Sequence, residues 1–255
     1  MEKKIGIIGL GMVGGVLEKY FSPLGYKIYR KDLNIDEDVN QADIVFISVP
    51  TPFNQELNGY DLSAIRSNLS LIKPGKIVVL KSTIQPGTTE SLQLEFSDLK
   101  ILFSPEFLTE ATTEIDFNQP DRQIIGTTDE SSDVADLVMS ILPKANISLV
   151  MSATEAELVK LSSNAFMSMK VVFYNQIYDF ATKLNLNYEN IAKGVSSDRR
   201  IGNSHTKIWF NDKRGYRGKC LPKDMKALIS AIKKSGLTPE LFAKLEEINE
   251  ELLKM

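Results

Sequence analysis

The glycine-rich turn near the start of the chain constrains the fold more than any other feature. Residues 3–8 form an apolar run typical of a buried parallel strand, and apolar residues recur at helical spacing over 16–21. Between them stands Gly9-Leu10-Gly11-Met12-Val13-Gly14, whose glycines allow a tight turn and let a pyrophosphate approach the helix N-terminus. These parts together predict a Rossmann-like fold in which Gly9, Gly11, Met12, Val13 and Gly14 contact a dinucleotide.

A carboxylate follows the second predicted strand, residues 26–30. Asp32 lies just past its end, about 20 residues after the first glycine, where an acidic side chain binds the adenosine ribose. Because this carboxylate would repel a 2′-phosphate, it favours NAD over NADP. Arg30 and Lys31 indicate the opposite, since basic residues at this place can bind that phosphate. An ordinary charged exit from a strand is a further alternative.

The remainder of residues 1–150 alternates apolar runs with helical patterns, as expected for a doubly wound α/β sheet. Strands are predicted at 43–49, 77–80, 101–103, 123–126 and 147–150, and helices at 62–71, from 88 onward and at 133–142. The segment between the second and third strands is short, which predicts an irregular connection. Polar residues end several strands and place Thr51, Thr83, Glu106 and Glu110 on one rim, although each alone could be a cap or turn residue.

Residues 151–255 predict a smaller, helical domain. Ser152-Ala153-Thr154-Glu155 is a capping-box signature, and no proline or glycine interrupts the helical apolar period up to about Leu184. We expect so long a helix to join domains or to form a dimer interface. Lys160 and Asn164 share one face of it, where a solvated polar stripe is the simpler alternative. Further helices are predicted at 188–194, 223–234 and 239–255.

The only cysteine lies at a predicted junction between loop and helix. Gly215 and Gly218 free the backbone before it, and Pro222 suits the first turn of a helix. At a helix N-terminus the dipole favours a thiolate, and Asp224 lies one turn beyond Cys220 on the same face. A nucleophile with an acid/base group so placed is typical of catalysis. A buried apolar cysteine is the alternative, which the polar surroundings disfavour.

Composition narrows the possible partners. The net charge is −3 with acidic and basic residues interspersed, which indicates neither nucleic acid nor an anionic membrane. A single cysteine cannot form an internal disulfide, and this fits a reducing cytoplasm. The only histidine, His205, has no Cys or Asp partner at triad or metal-ligand spacing, so we give it no catalytic role. We also predict no metal site.

With these motifs in order, the sequence resembles the UDP-glucose/GDP-mannose dehydrogenase family over essentially its whole length. The resemblance rests on seven motifs. They are the glycine turn, Val49-Pro50-Thr51-Pro52, Lys81-Ser82-Thr83, Ser104-Pro105-Glu106-Phe107-Leu108-x-Glu110, Glu155-Ala156-Glu157-x-x-Lys160-x-x-x-Asn164, Asp198-x-Arg200-Ile201-Gly202 and Cys220-Leu221-Pro222-Lys223-Asp224.

The resemblance implies a four-electron oxidation of the C6 alcohol of a nucleotide sugar, UDP-glucose to UDP-glucuronate, by NAD through a thioester on the cysteine. The implied catalytic residues are Cys220, Lys160, Asn164, Asp224, Glu106 and Thr83. Beyond the glycine turn, the implied cofactor contacts are Asp32, Val49, Pro50, Thr51, Thr83 and Glu110. The implied substrate contacts are Glu106, Phe107, Leu108, Lys160, Asn164, Arg200, Tyr216, Arg217 and Gly218. A cytoplasmic homodimer that pairs through the long helix is also expected.

Three departures from the family pattern keep alternatives open. The chain stops at Met255, where the family continues into a second Rossmann-like domain that holds the nucleotide of the substrate. The segment between the second and third predicted strands is shorter than in the family. Arg217 occupies a position that is usually glycine, where it could block the sugar or bind a phosphate. A dehydrogenase of a smaller sugar or sugar phosphate, a non-catalytic NAD-binding or assembly protein, and a truncated chain are the alternatives.

Overall fold

The computed structural model describes residues 4–255 and divides the chain into two compact units. One unit extends up to Lys160, and the other comprises Leu161–Met255. The sequence places a domain boundary after residue 150, just before the long helix, whereas the two units meet in sequence inside that helix. The first predicted strand began at Lys3, which lies outside the described residues.

The first unit is built on an eight-stranded sheet. Its strands, numbered in chain order with a small hairpin included, are β1 (Lys4–Ile8), β2 (Lys27–Asp32), β3 (Ile35–Asp36), β4 (Ile44–Ile47), β5 (Phe53–Asn54), β6 (Gly59–Tyr60), β7 (Ile77–Leu80), β8 (Lys100–Phe103), β9 (Arg122–Thr127) and β10 (Ile147–Ser152). The strand order is β10-β9-β8-β7-β4-β1-β2-β3, and β5 pairs with β6 apart from it. All pairings in the large sheet are parallel except β2 with β3 and β8 with β9.

Helices cover both faces of this sheet. They are α1 (Met12–Phe21), α2 (Ser63–Leu69), α3 (Thr88–Glu95), α4 (Thr113–Asn118) and α5 (Ala135–Ile141). Successive residues of β4 enter different cores, because side chains of a strand alternate between faces. Val45 packs with Ile65 of α2, and Phe46 packs with Leu17 of α1. This arrangement confirms the predicted doubly wound α/β sheet.

The connection between β2 and β4 contains no α-helix. It consists of the two-residue strand β3 and a 3-10 turn at Val39–Gln41, and this agrees with the short, irregular connection that the sequence predicts. Asp32 is the last residue of β2 and not the first residue beyond it.

The second unit is helical. The long helix α6 (Ala153–Lys183) runs into it and is followed by α7 (Tyr188–Ser196), α8 (Leu221–Lys234) and α9 (Glu240–Leu252). A reciprocal capping box starts α6, since Ser152 N donates to Glu155 Oε2 and Glu155 N donates to Ser152 Oγ. Tyr174 and Ala181 of α6 pack with Tyr188 and Ala192 of α7. Within residues 4–255 no helix is both long and apolar enough to cross a membrane.

Candidate active site

The three glycines of the turn after β1 have different roles. Gly9 has a φ of +85°, and a methyl group on it would lie 2.7 Å from Ser48 O. A methyl group on Gly14 would lie 1.8 Å from Gly9 O, so packing alone demands glycine at both positions. By contrast, a methyl group on Gly11 would meet nothing within 4 Å. The backbone at Gly11 is therefore open to a ligand, next to the free N–H groups at the start of α1, and this geometry suits the pyrophosphate of a dinucleotide.

Asp32 is tied to the same turn. Its Oδ2 accepts a hydrogen bond from Leu10 N at 2.5 Å, and its Oδ1 accepts one from Leu33 N at 2.6 Å. These backbone donors hold the pKa of Asp32 below its usual range, so the carboxylate stays charged. Arg30 and Lys31, the two candidates for binding a 2′-phosphate, each pair with a nearby carboxylate. Both observations suit an unphosphorylated ribose.

The loops that follow β4 and β7 are bonded to each other. Thr51 Oγ1 donates to Thr83 O at 2.7 Å, and Ser82 Oγ donates to Val49 O at 2.6 Å. The structure thus brings the predicted cofactor residues Val49 and Thr51 together with Thr83. In a doubly wound sheet, ligands bind at the carboxyl ends of the parallel strands, and these loops lie there.

Glu106 and Lys160 form a buried ion pair in the first unit. Lys160 Nζ donates to Glu106 Oε1 at 2.9 Å and to Glu106 O at 2.7 Å, while Leu108 N donates to Oε2 at 2.8 Å. Burial raises the pKa of Glu106, but the charge of Lys160 and these hydrogen bonds outweigh it, so the pKa lies below its ordinary value. Lys160 Nζ also lies 5.5 Å from the ring centre of Phe107. Glu106 is thus an ionised carboxylate able to accept a proton.

A second buried lysine of this unit, Lys81, belongs to the Lys81-Ser82-Thr83 motif. Lys81 is buried, and its Nζ donates to Ser104 Oγ at 3.1 Å. Burial lowers the pKa of Lys81 to about 8; the charge of Glu106 opposes this shift and that of Lys160 adds to it. Lys81 directly follows the apolar strand β7, and this position in the sequence is the feature that could have indicated a buried charge.

Glu157 is a further residue that the sequence reasoning left without a role. It is buried and accepts hydrogen bonds from Gly87 N at 2.6 Å and from Thr89 N and Oγ1 at 2.7 and 2.5 Å. Burial raises the pKa of Glu157 to about 7, although these donors oppose the shift. Glu157 therefore joins α6, one turn before Lys160, to the N-terminus of α3. An acidic residue on the same helical face as Lys160 was the available signal.

The second unit brings Cys220, Asp224 and Asn164 together. Cys220 is exposed and immediately precedes α8, as the sequence predicts. Asp224 N donates to Cys220 O at 3.0 Å, which closes the first turn of that helix. Asp224 is fully buried, and its carboxylate accepts from Asn164 Nδ2 and from Lys223 Nζ, both at 2.5 Å. The carboxylate is thus fixed one turn behind the thiol.

Three other predicted site residues, Glu110, Arg200 and Gly218, lie at open positions on the surface. Glu110 is exposed in a short 3-10 turn. Arg200 is exposed and forms an ion pair with Asp198 at 2.5 Å. Gly218 has a φ of +85°, and a methyl group on it would meet nothing within 4 Å. Arg200 and the Gly218 backbone are accessible to a ligand.

Tyr216 and Arg217 are directed at α9. The buried Tyr216 donates its hydroxyl to Glu246 Oε2 at 2.5 Å, and burial together with this bond raises its pKa. Arg217 Nη2 donates to Leu253 O at 3.1 Å, and its Nε donates to Arg214 O at 3.0 Å. The guanidinium thus binds one backbone carbonyl at the end of α9 and one in its own loop.

Both units match sequence models of one enzyme family. Residues 29–143 match the NAD-binding domain of the UDP-glucose/GDP-mannose dehydrogenase family, and residues 154–251 match its central domain. The two matches together span most of the chain. The chain belongs to the UDP-glucose/GDP-mannose dehydrogenase family. NAD is the cofactor of the domain that the first unit matches.

Curated relatives agree with this family. The UDP-glucose 6-dehydrogenase of Campylobacter jejuni is 39% identical over 222 residues, which cover 84% of this chain and 55% of the relative. That of Streptococcus pneumoniae is 31% identical over 229 residues, which cover 83% of this chain and 55% of the relative. The chain therefore spans about half the length of the curated relatives it matches.

Solved structures give the same picture. A UDP-glucose dehydrogenase from the hyperthermophilic archaeon Pyrobaculum islandicum superposes with a TM-score of 0.87 at 27% identity, covering 98% of this chain and 68% of that one. A 3-hydroxyisobutyrate dehydrogenase of Mycobacterium tuberculosis has a TM-score of 0.75 at 16% identity, covering 98% of this chain and 94% of that one. The second likeness shows the fold alone.

Proposed function

We propose that this member of the UDP-glucose/GDP-mannose dehydrogenase family oxidises the C6 alcohol of a nucleotide sugar, UDP-glucose to UDP-glucuronate. The observation that carries the proposal is the exposed Cys220 at the start of α8, backed by the buried pair of Asp224 and Asn164, in a chain whose first unit matches an NAD-binding domain. A binding protein without catalysis would have no need of a buried carboxylate fixed one turn behind an exposed thiol.

Two NAD molecules, bound one after the other, would each accept one of the two hydrides that leave the sugar carbon. In the first oxidation the alcohol becomes an aldehyde, and its hydroxyl proton passes through water to the carboxylate of Asp224, while the charged Lys160 stabilises the negative charge that develops on the oxygen. Thr83, bonded through its carbonyl to Thr51, orders the nicotinamide and this water. Gly9, Gly11, Met12, Val13, Gly14 and Asp32 hold the rest of the cofactor, with Val49, Pro50 and Glu110 beside it.

The thiolate of Cys220 then forms a carbon–sulfur bond to the aldehyde carbon, and the π electron pair of the carbonyl moves to its oxygen, which takes up a proton. The resulting thiohemiacetal loses the second hydride and becomes a thioester, which water cleaves to the carboxylate and the free thiol. Lys160 and Asn164 stabilise the negative charge that develops on the oxygen attached to this carbon. Glu106, held in its ionised form, accepts a proton from the attacking water. The overall reaction consumes one water and yields two NADH for each sugar.

The sugar and its nucleotide need contacts beyond the reacting carbon. Phe107 and Leu108 supply backbone contacts next to Glu106, and Arg200 supplies an exposed guanidinium. Tyr216 and Gly218 shape the approach to the thiol. We assign Arg217 the weakest part in substrate binding, because its guanidinium already donates to two backbone carbonyls.

We also propose that the enzyme is a homodimer of the cytoplasm. Phe166, Phe173 and Phe180 are spaced by seven residues, so they lie on one face of α6, and all three are about half exposed or more. Such an apolar stripe on a long helix suits a second copy of the same helix. A reducing compartment keeps the Cys220 thiol available.

The test is NADH formation with UDP-glucose, GDP-mannose and glucose 6-phosphate in parallel. We expect two NADH per UDP-glucose and no second NADH in Cys220→Ser. Turnover of glucose 6-phosphate alone would indicate the smaller-substrate alternative. NAD binding by calorimetry without turnover of any sugar would contradict the proposed oxidation and leave a non-catalytic NAD-binding protein.

A further inference from the structure

The segment that leads into Cys220, residues 214–220 and here called the cysteine loop, is bonded to α9 at two opposed backbone atoms. Asn249 Oδ1 accepts from Tyr216 N at 2.7 Å, and Asn249 Nδ2 donates to Tyr216 O at 3.1 Å. Asn249 is 2% exposed. One amide side chain thus satisfies both polar groups of a buried backbone unit, as a neighbouring strand would.

Contacts on either side of Asn249 extend this attachment. The Tyr216 hydroxyl donates to Glu246, and the Arg217 guanidinium donates to Leu253 O. Glu246 and Asn249 are three residues apart and occupy one face of α9, and Leu253 follows directly after the last residue of that helix. This face of α9 and the residue that ends it therefore hold Tyr216 and Arg217, two consecutive residues of the cysteine loop.

Gly215 allows the loop to approach so closely. Its φ is +77°, and a methyl group on it would lie 2.6 Å from Asn249 Oδ1. Cys220 itself is exposed, and the segments on either side of it help to set its position. One flank is α8, which packs against α9, and the other is the part of the loop bonded to Asn249.

We propose that α9 positions the thiol and that Asn249 is the positioning residue that fixes the cysteine loop ahead of Cys220. Without its amide, Tyr216 N and O are left buried and unpaired, and the loop gains conformations in which the thiol leaves the start of α8. Any effect of Asn249 on catalysis rests on the proposed function, whereas its effect on the conformation of the cysteine loop does not.

The chain offers a direct assay, because Cys220 is its only cysteine and iodoacetamide therefore reports on that thiol alone. Asn249→Leu removes both the donor and the acceptor at similar volume, and Asn249→Asp keeps the acceptor. Tyr188→Phe is the matched control. It removes one hydrogen bond, from the Tyr188 hydroxyl to Thr206 O, at a buried site of the same unit outside the cysteine loop.

We expect hydrogen exchange in a peptide covering the cysteine loop to accelerate by about tenfold or more in Asn249→Leu, by less in Asn249→Asp, and not at all in Tyr188→Phe. The pH at which the alkylation rate is half maximal should rise most in Asn249→Leu, less in Asn249→Asp and not at all in Tyr188→Phe. The reason is that a displaced thiol is no longer stabilised as a thiolate by the helix N-terminus. If Asn249→Leu does not fold, Asn249→Asp decides the question. Unchanged exchange and alkylation in a folded Asn249 variant would overturn the proposal. Altered exchange and alkylation with undiminished NADH formation would keep the positioning role but contradict the proposed part of Cys220 in catalysis.

Discussion

Glu157 provides the most quantitative test of the first unit, because its pKa should make the stability of the protein depend on pH near neutrality. Burial raises this pKa from 4.5 to about 7. Between those values the native protein keeps a proton that the unfolded chain has lost, so the free energy of unfolding falls as pH rises. At 1.36 kcal/mol per pKa unit, the full effect of this one carboxyl is about 3 kcal/mol.

The perturbation is Glu157→Gln, which cannot titrate. We expect the free energy of unfolding of the wild type, relative to that of the variant, to fall by about 2–3 kcal/mol from pH 5 to pH 8. Urea unfolding followed by circular dichroism at several pH values measures this difference. Other titrating groups, such as His205 and Lys81, contribute equally to both proteins and cancel in the comparison.

Glu155→Gln is the matched control on the same helix. Hydrogen bonds from Ser152 hold the pKa of Glu155 below its usual range, so it is ionised in both native and unfolded states over this interval. Glu155→Gln should therefore change the free energy of unfolding by the same amount at every pH in this interval. If Glu157→Gln also gave a constant offset, Glu157 would be ionised throughout, and the account of its burial would be wrong.

Three further changes test the cofactor site, the dimer and the hydrolysis step. Asp32→Ser should improve the use of NADP relative to NAD by about tenfold, because it removes a charge that repels the 2′-phosphate. An unchanged ratio of kcat/KM values would refute the role of Asp32. Phe173→Glu should convert the dimer to monomer in sedimentation while the circular dichroism spectrum stays native, because it places a charge in the apolar stripe; a wild type that already sediments as a monomer would contradict the dimer. Glu106→Gln should slow thioester hydrolysis by roughly 100-fold while both NADH of the first turnover still form in a rapid burst. Steady-state turnover equal to the wild type would exclude Glu106 as the base.

The order of elements in the first unit was predictable because local patterns and packing agree. The glycines at 9 and 14 are required by contacts with Ser48 and with the turn itself, so the motif and the fold impose the same residues. Apolar runs such as β4 are buried on both faces, and a continuous run is the sequence form of such a strand. The hairpin of β5 and β6, by contrast, is too short to leave a periodic signal.

The polar interior was less predictable, because it depends on contacts that are distant in sequence. Glu157 is buried by donors at Gly87 and Thr89, about 70 residues earlier, and nothing in its own helix indicates them. Likewise, the motif suggests Arg217 as a phosphate ligand, whereas its guanidinium bonds to Leu253 O at the end of a helix that begins much later in the chain. The local sequence gives the positions of the charged residues, whereas the tertiary structure determines which groups they form hydrogen bonds with.

The most direct test of the central claim is the mass of the Cys220 peptide during turnover. The protein is mixed with UDP-glucose and NAD, quenched in acid within the first turnover, digested and examined by mass spectrometry. We predict an acyl adduct of the oxidised sugar on Cys220 that hydroxylamine removes, and that Glu106→Gln increases. NADH formed at the wild-type yield by Cys220→Ser, with no adduct on any peptide of the wild type, would contradict a thioester on this cysteine.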